Sequence, residues 1–189
     1  MSSIQKLEQT VTEKFSRLGW DQLTPIQSKA YPVILRQRNA LLVAPTGSGK
    51  TEAAIVPIIA FLAKESRSRK GIRAIYITPL RALNRDIFRR VLEYAKSENL
   101  SAAVRHGDTP TSVRRKITEN PPDLLITTPE TLAILLTGKR SREGLATVRW
   151  VIIDELHELI SSERGTHLSL SLERLEKISD SKIVRVGLS

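Results

Sequence analysis

The chain has 189 residues, 40 % of them hydrophobic and 26 % charged, enough for one domain with a sizeable buried core. It contains no cysteine, which excludes disulfides and thiolate metal sites, and no run of about eighteen apolar residues, which excludes a membrane-spanning helix. Lysine and arginine exceed aspartate and glutamate by 30 − 20 = 10, so a polyanionic partner is expected, while aromatics at 4 % argue against extensive base stacking on this domain.

In chain order, the opening MSSIQKLEQTVTEKF is polar and of mixed charge, unlike a secretory signal. The expected location is cytoplasmic, nucleoid-associated in a prokaryote. Six short apolar runs follow: NALLVA (39–44), RAIYIT (73–78), SAAVRH (101–106), DLLIT (123–127), RWVIID (149–154) and KIVRVGLS (182–189). Several are almost unbroken, as expected of parallel strands buried on both faces. Helix-like segments lie between them. Pro57 falls within the helix expected after the first run and should kink or shorten it. KESRSRKG (64–71) and GKRSREG (138–144) read as exposed basic loops. TLAILLTG (131–138) reads as a helix capped at its C-terminus by Gly138. Leu168, Leu172 and Leu175 recur at helical spacing, a core-facing stripe. The alternation predicts an α/β domain with a mainly parallel sheet flanked by helices and joined by right-handed crossovers.

The first run leads into APTGSGKT (44–51). An apolar strand, a glycine-rich loop and a helix start in succession make a nest of backbone N–H groups for phosphate oxygens. Thr46, Gly47, Ser48 and Gly49 form the loop, the glycines permitting close backbone approach. Lys50 would reach the β- and γ-phosphates and Thr51 would hold Mg²⁺. The general pattern asks for glycine at position 44, where this chain has Ala44. A second carboxylate is needed at the end of another strand, and RWVIIDELHEL supplies it. Asp154 would hold Mg²⁺ and Glu155 would act as general base on the attacking water. His157 is expected near the γ-phosphate. His106, His157 and His167 have no metal-ligand spacing with one another.

APTGSGKT and DELH (154–157) resemble motifs I and II of superfamily 2 helicases of the DExH type, whose first motif usually opens on alanine; the resemblance accounts for Ala44. TPIQ (24–27) resembles the Q motif, TPLRALNRD (78–86) motif Ia, HGDTP (106–110) the turn that follows it, TTPETL (127–132) motif Ib, and GLS (187–189) the start of motif III. The likeness covers about residues 15 to 189. ERGTHL, soon after motif II, makes the chain most similar to the large helicase-related DNA helicases.

The resemblance implies a RecA-like P-loop NTPase domain over residues 1–189, cut within motif III, with ATP and Mg²⁺ as cofactors. Gln27 would read the adenine edge through its amide donor and acceptor. Pro79, Arg81 and Asn84 of motif Ia, Gly107, and Thr128, Pro129 and Glu130 of motif Ib would face single-stranded nucleic acid, expected to be DNA, through sequence-tolerant backbone contacts. Ser189 would couple to a second RecA-like domain of the full-length protein, and without that domain the chain should be nearly inactive. Two alternatives stay open: an RNA helicase of the same superfamily, and a nucleic-acid-binding module with an inactive nucleotide site. No membrane partner is expected.

Overall fold

The computed structural model describes residues 3–17, 22–65, 70–79, 85–160 and 162–189. Each apolar run becomes a strand: β1 (Ala40–Leu42), β2 (Ala74–Ile77), β3 (Ala102–Arg105), β4 (Leu124–Thr127), β5 (Trp150–Ile153) and β6 (Val184–Leu188). They form one all-parallel sheet in the order β1-β6-β5-β2-β4-β3. Helices α1 (Ser3–Arg17), α2 (Pro25–Leu35), α3 (Lys50–Lys64) and α4 (Arg85–Ser97) contribute to one face. Helices α5 (Thr111–Glu119), α6 (Pro129–Leu135), α7 (Lys139–Leu145), α8 (Leu156–Ile160) and α9 (Glu163–Ile178) contribute to the other.

Strand side chains alternate between two cores. Ala74, Tyr76, Leu124, Ile126, Trp150 and Ile152 pack toward α3. Ile75, Ile77, Leu125, Val151 and Ile153 pack toward α9, against its stripe of Leu168, Leu172 and Leu175. Both faces are covered, so the two central strands β2 and β5 are buried at every position. Each fully buried Leu or Ile contributes roughly 1.5–3 kcal/mol. Below the sheet, Arg73 and Asp123 form a buried ion pair at 3.0 Å, joining the entries to β2 and β4. Arg73 also donates to Leu62 O at 2.9 Å, at the end of α3.

Local capping chemistry starts two helices. Thr24 caps α2 with Pro25 in its first turn, and Gln27 closes a capping box. Thr128 caps α6, followed by Pro129.

Three expectations are corrected. Gly138 does not end the helix before it: α6 stops at Leu135, and Gly138 is the extended N-cap of α7. GKRSREG is therefore largely helical, held by burial of Gly144 and Leu145 and by Ile72 N–H donating to Gly144 O at 2.8 Å. Pro57 does not shorten α3, which runs 15 residues. Residues 52–60 of α3 are buried throughout, and that packing outweighs the lost hydrogen bond. KESRSRKG lies partly outside the described residues. No helix among the described residues is long and apolar enough to cross a membrane.

Candidate functional site

All six strands are parallel, so their C-terminal ends lie along one edge, and the strand order divides that edge in two. The ends of β1, β6 and β5 carry the phosphate loop, Ser189 and the Asp154–Glu155 pair. The ends of β2, β4 and β3 carry Thr78–Pro79, Thr128–Glu130 and the His106–Gly107 turn.

In the first half, Gly47 and Gly49 have φ of 80° and 84°, the left-handed region that glycine enters without a Cβ penalty. They turn the loop so that α3 begins at Lys50, with its free N–H groups and positive dipole end facing the loop. The Lys50 ammonium folds back onto the loop, donating to Ala44 O and, at 3.1 Å, to Pro45 O. Ser189 ties this half together. Its N–H donates to Leu42 O at 3.0 Å, its carbonyl accepts from Ala44 N–H at 3.2 Å, and its hydroxyl lies 3.3 Å from His157 Nδ1. His157 Nε2 is in turn 3.4 Å from Glu155 Oε2. Strand β6 separates β1 from β5, so motif III stands between the loop and the acidic pair.

Asp154 is buried, and both its carboxylate oxygens are engaged. Oδ1 accepts from Glu155 N–H at 2.9 Å, and Oδ2 accepts from the Tyr76 phenol. Burial, followed by the charge and hydrogen bond of Asp154, pushes that phenol well above the usual tyrosine range, so it stays a donor. Glu155 has φ 48°, a left-handed conformation that costs a non-glycine residue on the order of 1–3 kcal/mol. Such strain is typical of residues whose direction matters more than their comfort.

Gln27 is fully buried in α2. Its Oε1 accepts from Thr24 N–H at 3.0 Å, so the acceptor expected to face adenine is engaged in the capping box. Its Nε2 has no partner, and neither does Ser48 Oγ in the phosphate loop. Orphaned buried donors are costly, and these two lie in segments read as nucleotide-binding. The residues present therefore fit a nucleotide.

In the second half, Arg81 and Asn84 lie outside the described residues. Pro79 is buried after β2. The Thr128 hydroxyl, expected to meet nucleic acid, is buried and engaged in capping α6, with Thr131 N–H at 3.3 Å. Pro129 is buried beside it. Glu130 is ion-paired with Arg164 at 2.6 Å. Partial burial pushes its carboxyl up, but Arg164, the Glu130 N–H and Thr128 more than offset this and hold it below the usual glutamate range. The carboxylate thus anchors α6 to α9. Arg114 donates to Thr109 O at 2.6 Å and to Gly107 O, bracing the turn. A Cβ on Gly107 would meet nothing within 4 Å, so the space beside it is open. Burial and then the Arg114 charge push the nearby Arg105 below the usual arginine value.

Sequence reasoning missed Tyr76, Arg114 and Arg164. The signal for Tyr76 was a phenol within a run otherwise read as buried aliphatic strand, because a buried hydroxyl needs a partner.

The sheet, loop and acidic pair define a RecA-like P-loop nucleotide-binding domain. The sequence profile of the DEAD/DEAH box helicases matches residues 24–189, and the chain belongs to that family. It is 43 % identical over 190 residues to the Lhr helicase/uracil glycosylase of Escherichia coli, covering 90 % of this chain and 12 % of that protein. It is 43 % identical over 193 residues to the ATP-dependent helicase Lhr-Core of Methanothermobacter thermautotrophicus, covering 95 % and 22 %. Among solved structures, Mycobacterium smegmatis helicase Lhr bound to ssDNA and AMP-PNP matches with TM-score 0.81 and 40 % identity, covering 95 % of this chain and 24 % of that one. The narrower resemblance to Lhr-type helicases therefore holds, and the chain spans between about an eighth and a quarter of these relatives.

Proposed function

We propose that this domain binds Mg²⁺-ATP at the β1/β6/β5 half of the edge and single-stranded DNA at the β2/β4/β3 half, as the first motor domain of an ATP-dependent helicase. The observation that carries this reading is the division of one sheet edge into a phosphate-loop half and a second half with open space at Gly107. The DNA assignment draws on the ssDNA-bound Mycobacterium smegmatis relative.

In this reading Lys50 leaves the Ala44 and Pro45 carbonyls for the β- and γ-phosphates, while the loop N–H groups and α3 hold the remaining charge. Thr46 and Ser48 line the loop, and the Gln27 amide donates to the adenine edge. Mg²⁺, held by Thr51 and Asp154, supplies neutralisation of the charge that develops on the phosphate oxygens. Glu155 takes the proton of the attacking water. His157 and Ser189 link its position to β1. Arg81, Asn84, Thr128 through its N–H, and the Gly107 turn hold the DNA backbone without reading sequence. Pro79, Pro129 and Glu130 shape that surface.

A second RecA-like domain of the full-length protein would close the other side of the ATP and supply an arginine finger, a contribution of about 10³–10⁵ in rate. The 189-residue chain alone should accordingly turn over very slowly.

The test is ATPase activity of the full-length protein with no nucleic acid, with single-stranded DNA and with matched RNA, beside Glu155→Gln. Stimulation by DNA that is lost in the variant is expected. Stronger stimulation by RNA would assign the motor to RNA through its 2′-hydroxyls. Lack of stimulation by either, with nucleotide still bound, would refute the coupling.

A further inference from the structure

Tyr76 is fully buried in the core beneath the phosphate loop, among side chains that are otherwise almost all aliphatic. It pairs in register with Ile152, two residues before Asp154. Two residues of strand rise about 6.6 Å, a span that a tyrosine covers and an aliphatic side chain does not. The phenol donates to Asp154 Oδ2. One hydroxyl from β2 thus holds a residue read as metal-holding at the end of β5. Packing alone does not ask for it: a phenylalanine would fill the same space without burying a polar group.

We propose that Tyr76 is a positioning residue for the metal-holding carboxylate. The phenol on Oδ2 and the Glu155 N–H on Oδ1, at 2.9 Å, fix the Asp154 carboxylate plane. The inference rests on the reading of Thr51 and Asp154 as the Mg²⁺ ligands of an ATP site. Removing a group that orients a metal ligand typically lowers metal affinity about 10–100-fold. Nucleotide held without metal depends on the loop, Lys50 and Gln27, whereas the Tyr76 phenol is bonded to Asp154.

The experiment is binding of a fluorescent ATP analogue to the full-length helicase, in EDTA and across a Mg²⁺ titration. The set is wild type, Tyr76→Phe, Asp154→Asn, the double variant and Lys50→Ala. Tyr76→Phe should raise the Mg²⁺ midpoint about tenfold or more, with EDTA affinity unchanged. The effect should vanish in the Asp154→Asn background. An unchanged midpoint, an equal loss in EDTA and Mg²⁺, or an effect that persists without the Asp154 carboxylate overturns the proposal. Should Tyr76→Phe not fold, the tyrosine ultraviolet difference spectrum on adding Mg²⁺ to the nucleotide complex decides. A change in wild type that is absent in Asp154→Asn supports the role, and no change in wild type overturns it. Lys50→Ala separates the two levels. If it keeps full nucleotide affinity, the reading of the phosphate site fails; if it loses affinity while Tyr76→Phe behaves as wild type, only the role of Tyr76 fails.

Discussion

Gly165→Ala should damage turnover more than stability. Gly165 lies in the first turn of α9, where the chain folds back from α8. A Cβ there would stand 2.0 Å from Leu159 O and 2.8 Å from Leu159 C, both backbone atoms of α8. Opening the first contact to 3.0 Å requires 3.0 − 2.0 = 1.0 Å of relative movement between α8 and α9. Alanine is favoured over glycine within a helix by about 1 kcal/mol, whereas overpacking of this kind costs about 1–3 kcal/mol. The balance is a loss of about 0–2 kcal/mol, readable by denaturant unfolding. Function suffers more because α8 begins at Leu156, directly after Asp154 and Glu155. A shift of about 1 Å in a catalytic group can cost about 10²-fold. On the proposed motor function, the full-length variant should therefore show nucleic-acid-stimulated ATPase reduced by about tenfold to a hundredfold, with nucleotide affinity nearly retained. Thr166→Ala, one residue along on the exposed side of α9, should change stability by less than about 0.5 kcal/mol. If Gly165→Ala gained about 1 kcal/mol and kept full turnover, the contact between α8 and α9 would not constrain the acidic pair, and the reasoning would be refuted.

Arg73→Ala removes the guanidinium from a buried Asp123 and should cost about 3–5 kcal/mol in chemical denaturation, and a loss below about 1 kcal/mol would mean the pair behaves as a surface one. Thr24→Ala breaks the α2 cap and should cost about 0.5–2 kcal/mol with ATP affinity kept, while Gln27→Ala should lower both stability and ATP affinity; equal effects on ATP binding would remove Gln27 Nε2 from the adenine site. The Glu130 carboxyl is held below its usual value, so the stability it contributes is present above the unfolded glutamate value and is lost as pH falls through the folded one. The difference in melting temperature between wild type and Glu130→Gln should thus exist at neutral pH and vanish in acid. A difference that grows on acidification would contradict the pairing with Arg164.

What the sequence determined by itself was whatever short-range chemistry encodes. Strands of a parallel sheet covered by helices are largely apolar, so all six short apolar runs were legible. Glycine enters left-handed φ without a Cβ penalty, so Gly47 and Gly49 marked the phosphate site. Tertiary structure decided what depends on partners far along the chain. The helical state of the polar segment after Gly138 rests on a hydrogen bond from Ile72 and on burial of Leu145. The continuity of α3 through Pro57 rests on burial along its length. Thr128 turned its hydroxyl inward, and Glu130 found Arg164 34 positions away. Above all, strand order is a set of long-range pairings that no local periodicity records. That order sets β6 between the phosphate loop and the acidic pair, and it brings the Tyr76 phenol to an aspartate 78 residues distant.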